Sequence, residues 1–361
     1  MLGISVYPEK AKKQEVIEYI NLAAKYGFKR VFTCLLSAEG TKEEIKNEFY
    51  EIITSATKKG MEVVLDIAPS VFTKLEISYD DLSFFKELGA TGIRLDEGFN
   101  GLKEAEMTFN KLDLDIEINM SSGTKYVDNI ISFEPNRKKL IGCHNFYPME
   151  YSGLSLETFE LTSKQFQDLR IRSAAFVTSN SANHGPWPVM DGLCTLEMHR
   201  KLPITTQVKH LMMLGLVDDI IIGNAFASEA ELKAISEISQ IIPLDIKFDK
   251  SATEIEKKIV LDELHFNRGD RSDYLIRSTQ SRVKYKDNDF KPLNTQKEIK
   301  KGSIAIGNDN FGQYKGELHL VKKDHSDEKG RKNIVAQIKD YDLFLLDFIK
   351  PWTKFSFKEV K

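Results

Sequence analysis

The sequence predicts an α/β chain in which a (β/α)8 barrel is followed by a small antiparallel β domain. Three observations predict it. A short apolar run ending in polar letters and followed by a helix-like stretch recurs eight times before residue 230. Four of the helical stretches close on a glycine shortly before the next strand, the usual way to stop a helix. After Pro243 the pattern changes to strand-like runs with little helix. Eight strands alternating with helices need a closed parallel sheet wrapped by helices, because only that arrangement buries both faces of every strand.

The elements follow in order. LGISVY from Leu2 opens the barrel, and residues 12–26 place Val16, Ile17, Ile20, Ala23 and Ala24 on one stripe before Gly27. RVFTCLL from Arg30 is the second strand, followed by a helix at 42–59 that stops at Gly60. EVVLDIAP from Glu62 and GIRLDEGF from Gly92 flank a helix at 79–88 that stops at Gly89. DIEINMSS from Asp115, LIGCHNFYP from Leu140 and SAAFVTSN from Ser173 supply strands five to seven. The loop at 179–194 is long and rich in Gly, Pro and Asn, as lids and substrate walls of barrels often are. A helix at 206–214 ends at Gly215, DIIIGNA from Asp219 is the last strand, and a helix at 229–240 closes the barrel. The expected domains are 1–243, catalytic, and 244–361, in which IVLDELHFNRGD, YLIRSTQSRVKY, GSIAIGNDN, GELHLVKK, NIVAQIKD and FLLDFIKP read as strands.

The chain has 361 residues, enough for a barrel of roughly 250 and a second domain of about 100. A net charge of -3 with mixed signs argues against nucleic acid or an anionic membrane as partner and leaves room for one small phosphorylated ligand. The cysteines Cys34, Cys143 and Cys194 lack metal-type spacing and read as unpaired thiols of a reducing compartment. The N-terminus runs straight into a strand, with no leader or long apolar stretch, so a soluble, cytoplasmic protein is expected.

In barrels of this kind the site lies where the strands end, and strand alternation tells which polar residues face the lumen. By that parity Asp66, Arg94, Asp96, Glu117, Asn119 and Ser121 point inward, with Glu97 at the rim. The sixth strand adds His144 or Asn145 and then Tyr147, and the last adds Asn224. Neighbouring acids have their proton affinities pushed apart, which suits the general acid and nucleophile or base of glycoside cleavage. The competing reading is a purely structural Arg94 bridge to Asp96 or Glu117. His144, His184, His199 and His210 show no helical metal-binding spacing, and no metal or cofactor is expected. Trp187, between two prolines, is either a sugar-stacking platform or a loop anchor. Arg268, Arg271 and Arg277 crowd one short span, as oxyanion-binding forks or as a self-neutralising turn with Asp270.

The segments LGISVYPEK, GIRLDEGF, DIEINMSSGT, HNFYP, SNSANHGPWP, LHFNRGDRSDYLIRS and GNDNFGQYKGEL together resemble the bacterial phospho-sugar glycosidase family whose characterised activity is that of a 6-phospho-N-acetylmuramidase. The resemblance runs in order over essentially the whole chain. It implies a TIM barrel followed by a cyclophilin-like β domain, and hydrolysis of the β-1,4 bond between N-acetylmuramic acid 6-phosphate and N-acetylglucosamine in peptidoglycan recycling. Its implied partner is that small phosphorylated disaccharide, with a homo-oligomer left open.

The expected mechanism divides two roles among four acids. Glu97 or Glu117 would donate the proton, and Asp66 or Asp96 would act as base, nucleophile or oxocarbenium stabiliser. A substrate-assisted route through the N-acetyl oxygen is an alternative. Asn119, Ser121, His144, Asn145, Tyr147, Asn180, His184 and Asn224 are expected to bind sugar, and Arg268 and Arg277 the phosphate or lactyl carboxylate. Two other functions fit the residues: a metal-dependent phosphosugar isomerase or lyase using the same acids with His144, and a non-catalytic carbohydrate-binding protein.

Overall fold

A computed structural model describes residues 1–35 and 40–360. Leu36, the last residue of the second predicted run, lies outside them. The chain divides into two compact units, Met1–Glu237 and Ile238–Lys361.

The first unit is a closed parallel barrel of eight strands in sequence order: β1 (Leu2–Val6), β2 (Arg30–Cys34), β3 (Glu62–Ile67), β4 (Gly92–Leu95), β5 (Asp115–Asn119), β6 (Leu140–Cys143), β7 (Ser173–Val177) and β8 (Asp219–Ile222). Apolar residues pointing outward, such as Val63, Leu65 and Ile67 of β3, are fully buried under the helices. Inward residues share registers around the barrel: Cys34, Asp66, Arg94, Glu117 and Ile141 form one continuous row of Cα partners. Phe32, Cys143, Ala174, Phe176 and Ile221 fill the lumen, with Phe146 packed on them.

The barrel floor is ionic. Arg30, with no exposed surface, bonds Glu117 through Nη2 and Asp219 through Nη1 at 2.7 Å. Arg172 and the N-terminal ammonium also reach Asp219, at 2.7 and 3.0 Å. Burial alone would raise the Asp219 pKa, but Arg30, Arg172 and the N-terminus hold it below its ordinary value.

Two glycines shape the chain around β8, one before it and one after. Gly215 ends the helix Ile204–Leu214 in the left-handed region at φ 63, which glycine adopts without a Cβ clash. Gly223 follows β8, and a Cβ there would lie 2.2 Å from the Leu193 carbonyl, so its absence lets the loop at 179–194 close against β8.

The second unit holds β9 (Ile242–Phe248), β10 (His265–Phe266), β11 (Leu275–Ser278), β12 (Glu298–Ile299), β13 (Ser303–Gly307), β14 (Leu318–Val321), β15 (His325–Ser326), β16 (Lys332–Ile338) and β17 (Lys354–Glu359). Seven of them form one sheet in the order β10-β17-β9-β16-β13-β14-β11, and β12 pairs with β15. The sheet is antiparallel except where β17 runs parallel to β9.

Three details depart from the sequence reading. Pro243 is the second residue of β9, so a strand of the second unit is already under way where a domain boundary was expected; β16 joins β9 only from Ile246, and this unpaired side tolerates a missing N–H. The first four residues of the run from Ile259 belong to the helix Glu254–Asp262, whose Thr253 and Glu256 form a reciprocal cap, and only His265–Phe266 of that run are strand. FLLDFIKP sits largely in the 3-10 segment Asp340–Phe348. Short apolar runs of this length do not distinguish buried strand from buried helix.

Candidate active site

Asp66 stands one residue before the end of β3, and Arg94 is its register partner on β4. Adjacent inward positions bring the side chains into contact, with Arg94 Nη1 2.5 Å from Asp66 Oδ1. The same nitrogen lies 2.8 Å from Asp96 Oδ1, just past β4. Arg94 Nη2 donates to Asn145 Oδ1. Asn145 is itself fixed, because its N–H donates to Ser121 Oγ at 2.8 Å and its carbonyl accepts from Thr195 Oγ1 at 2.9 Å. The Cys34 thiol sits 3.7 Å from Asp66 Oδ2.

These groups line one side of a pocket of about 140 Å³, with Asp66, Arg94, Asp96 and Asn145 as the polar wall. Phe32, Phe146, Phe176 and Trp187 form the aromatic wall. Ligand sites for drug-sized molecules run to about 300–1,000 Å³. This pocket has room for only part of a ligand of that size.

Burial pushes the Asp66 pKa up to about 6; Arg94 opposes that rise and the Asp96 charge adds to it. A carboxyl poised there can give and take a proton near neutral pH. Asp96 is in a wetter place, with about a third of its side chain exposed. Two aspartates held around one guanidinium in an aromatic-lined pocket can serve proton transfer.

The remaining predicted residues separate into groups. Glu97, two residues past the end of β4, is exposed and outside the pocket lining. Glu117 stands beside Arg94 in register, yet its carboxylate turns to Arg30 and is wholly buried. Neither lines the pocket.

His144 is also not aimed at a ligand. Its Nδ1 meets Ser121 Oγ at 3.1 Å, its Nε2 meets Ser163 Oγ at 2.8 Å, and its ring packs on Phe159. Burial pushes its pKa down to about 3, helped by Arg94, so the ring is neutral. Through Ser121 it braces Asn145. Asn119 accepts the Ser121 N–H at 2.9 Å, a local turn contact.

Asn224 is a buried clamp, exchanging bonds with Ser179 and reaching the Ala182 carbonyl. Asn180 is exposed and donates to the Leu202 carbonyl at 3.2 Å. Tyr147 bridges to Cys194 by its backbone and its carbonyl accepts from Arg200. The His184 backbone bonds Ala225, and its ring packs edge-on against Phe226. Arg268 and Arg277 belong to the second unit, where Arg268 pairs with Asp270 and Arg277 with Glu317.

Sequence reasoning missed Arg30, Phe32, Phe146 and Phe176. The alternation that placed Asp66 inward, applied to RVFTC and SAAFV, would have pointed Arg30, Phe32 and Phe176 into the lumen as well. Phe146 lies beyond the strand, where parity no longer applies. Trp187, left open between platform and anchor, lines the pocket and is 40% exposed.

The barrel unit matches the family model described as 6-phospho-N-acetylmuramidase, N-terminal, over residues 2–237, and the second unit matches its C-terminal counterpart over residues 242–358. The crystal structure of an uncharacterized B. cereus protein is 49% identical, covers 99% of both chains and superposes with a TM-score of 0.91. A conserved Enterococcus faecalis protein of unknown function is 24% identical, covers 99% of this chain and 96% of its own, and has a TM-score of 0.76, a likeness of fold. No curated protein matches the chain. The two family matches span nearly all of the sequence, and the chain belongs to the 6-phospho-N-acetylmuramidase family.

Proposed function

We propose that the chain is a glycosidase that hydrolyses the β-1,4 bond between N-acetylmuramic acid 6-phosphate and N-acetylglucosamine, as a step of cell-wall recycling in the cytoplasm. The observation that carries this reading is the Asp66–Arg94–Asp96 arrangement, in which one nitrogen holds two carboxylates at the edge of an aromatic-walled pocket. The family match supplies the substrate class.

Asp66, with its pKa raised to about 6, gives its proton to the leaving glycosidic oxygen. Asp96 supplies the carboxylate that meets the anomeric carbon. Because both acids bond Arg94 Nη1, their nearest oxygens are separated by no more than the sum of bonds of 2.5 and 2.8 Å. That bound is on the side of retaining enzymes, about 5–5.5 Å, and below the roughly 6.5–9.5 Å that leaves room for water in inverting ones. In the second half of the reaction the Asp66 carboxylate takes a proton from water, which cleaves the Asp96 ester and restores both groups. Arg94 keeps the two acids at fixed spacing, and Trp187 and Phe146 offer faces for the sugar ring.

The test is release of N-acetylmuramic acid 6-phosphate from its disaccharide, compared with the unphosphorylated disaccharide, with and without chelator. Chelator-resistant cleavage of the phosphorylated compound alone is expected. No cleavage of either compound would remove the proposal, and chelator-sensitive turnover would favour metal-assisted chemistry instead.

A further inference from the structure

The second unit carries a cluster that the barrel mechanism does not use. Arg277 on β11 lies directly opposite His319 on β14. Glu317, wholly buried, accepts from Arg277 Nη2 at 2.7 Å and from Arg282 Nη1 at 2.8 Å on its two oxygens. Both guanidinium groups also lie over the Tyr314 ring, at 5.7 and 5.3 Å. Arg268 joins them through its N–H, which donates to the Arg277 carbonyl, while its own Nε pairs with exposed Asp270. Burial keeps His319 below its ordinary pKa, so it adds no charge. Three guanidiniums therefore face two carboxylates, and all three remain partly exposed.

An aromatic surface lies beside them. Trp352 is 64% exposed although its backbone sits at φ 65, a left-handed conformation that side-chain-bearing residues seldom adopt. Its N–H donates to the Asn267 carbonyl, its ring stacks on Phe266, and a Cβ on Gly269 would fall 3.0 Å from it. A large apolar ring is thus held in solvent next to the Arg268 loop at a cost in backbone strain.

We propose that this face of the second unit binds the oxyanion of a charged sugar, with Arg268, Arg277 and Arg282 gripping the anion and Trp352 stacking on the ring. Glu317 acts as the pre-organiser: it fixes two guanidinium forks while leaving their outer N–H groups and one net positive charge for an incoming ligand. An aromatic face beside a cationic fork matches a sugar that carries a phosphate or a carboxylate. Naming a sugar as the carrier rests on the proposed function, whereas the anion site is read from the side chains alone.

The chain has two tryptophans, so Trp187→Phe leaves Trp352 as the sole indole reporter. In that full-length chain, at constant ionic strength, Trp352 fluorescence is titrated with inorganic phosphate, with glucose 6-phosphate and with lactate. A saturable response is expected, at least tenfold weaker in Arg268→Ala and in Arg277→Lys. Arg268→Ala is the safer variant, because among the described residues the Arg268 side chain bonds only exposed Asp270 and its loss leaves Glu317 paired.

Response to the phosphates assigns a phosphomonoester, and response to lactate assigns the carboxylate. Absence of any saturable response, or one equally strong in Arg268→Ala, overturns the site. The readout involves no bond cleavage. Anion binding by the Trp187→Phe chain without hydrolysis by the unaltered chain would therefore sink the glycosidase proposal alone, and hydrolysis by the unaltered chain without anion binding would sink this one alone.

Discussion

Asp66 and Asp96 hang from a single nitrogen of Arg94, the first buried and the second at the rim. That asymmetry separates two chemically identical groups. Burial holds a proton on Asp66 to about pH 6, and the Asp96 side chain meets water. Asp66→Asn keeps the shape and the contact with Arg94 but cannot release a proton. It should lower kcat roughly 10²–10⁴-fold, the usual worth of a general acid. Steady-state kinetics alongside circular dichroism check this, and a folded variant with wild-type kcat would remove Asp66 from the mechanism.

The pH dependence has a definite sign. A raised carboxyl pKa means the donor is loaded below about pH 6 and emptied above it. Activity limited by proton donation should therefore fall on the alkaline side of about 6, approaching tenfold per pH unit in kcat/KM. In Asp66→Asn that limb should vanish from the residual activity. A profile that rises through pH 6 would show that Asp66 works only as a base.

Close carboxylates also predict stereochemistry. The first-formed N-acetylmuramic acid 6-phosphate should carry the β configuration, as retention requires. Proton NMR of the anomeric signal during the first seconds of turnover distinguishes it from the α anomer before mutarotation. Appearance of the α anomer first would mean that the acids act across a wider gap with a water between them.

The barrel and the inward direction of Asp66 and Arg94 were legible because strand parity and glycine-terminated helices are local properties. What parity could not supply was the partner of each charge. Glu117 and Asp96 both flank Arg94, but Glu117 is taken by Arg30, a residue 87 positions away in sequence. His144 looked like a ligand in the chain and is a brace in the fold, because Ser163 arrives from the helix Leu156–Asp168 to occupy its second nitrogen. In the second unit, Arg282 and Tyr314 came into view only when β11 and β14 were paired.

Trp187 reaches the pocket from a loop that packs against Gly223 and is held to β8 by the Leu193 approach. Its role should be uniform binding of the sugar face, which is present in ground state and transition state alike. Trp187→Ala should then raise KM about tenfold, an effect near 1.4 kcal/mol, with kcat little changed. A fall in kcat at constant KM would instead mean that the ring positions the acids.

Glu117 tests the difference between a catalytic acid and a structural one. It is wholly buried against Arg30, and Arg30 in turn holds Asp219. Removing one partner of such a buried pair leaves a charge without compensation, at a cost of about 3–5 kcal/mol. Arg30→Met should therefore lower the urea midpoint strongly, since it leaves Glu117 without its cation and takes one of three cationic partners from Asp219. Glu117→Gln keeps a hydrogen-bond acceptor for Arg30 and should destabilise less. At a temperature where it remains folded, Glu117→Gln should cleave substrate within a few-fold of the unaltered chain. Loss of activity by the roughly 10² or more expected of a general acid, with the fold intact, would return Glu117 to the reaction and shift the proton donor from Asp66 to the barrel interior.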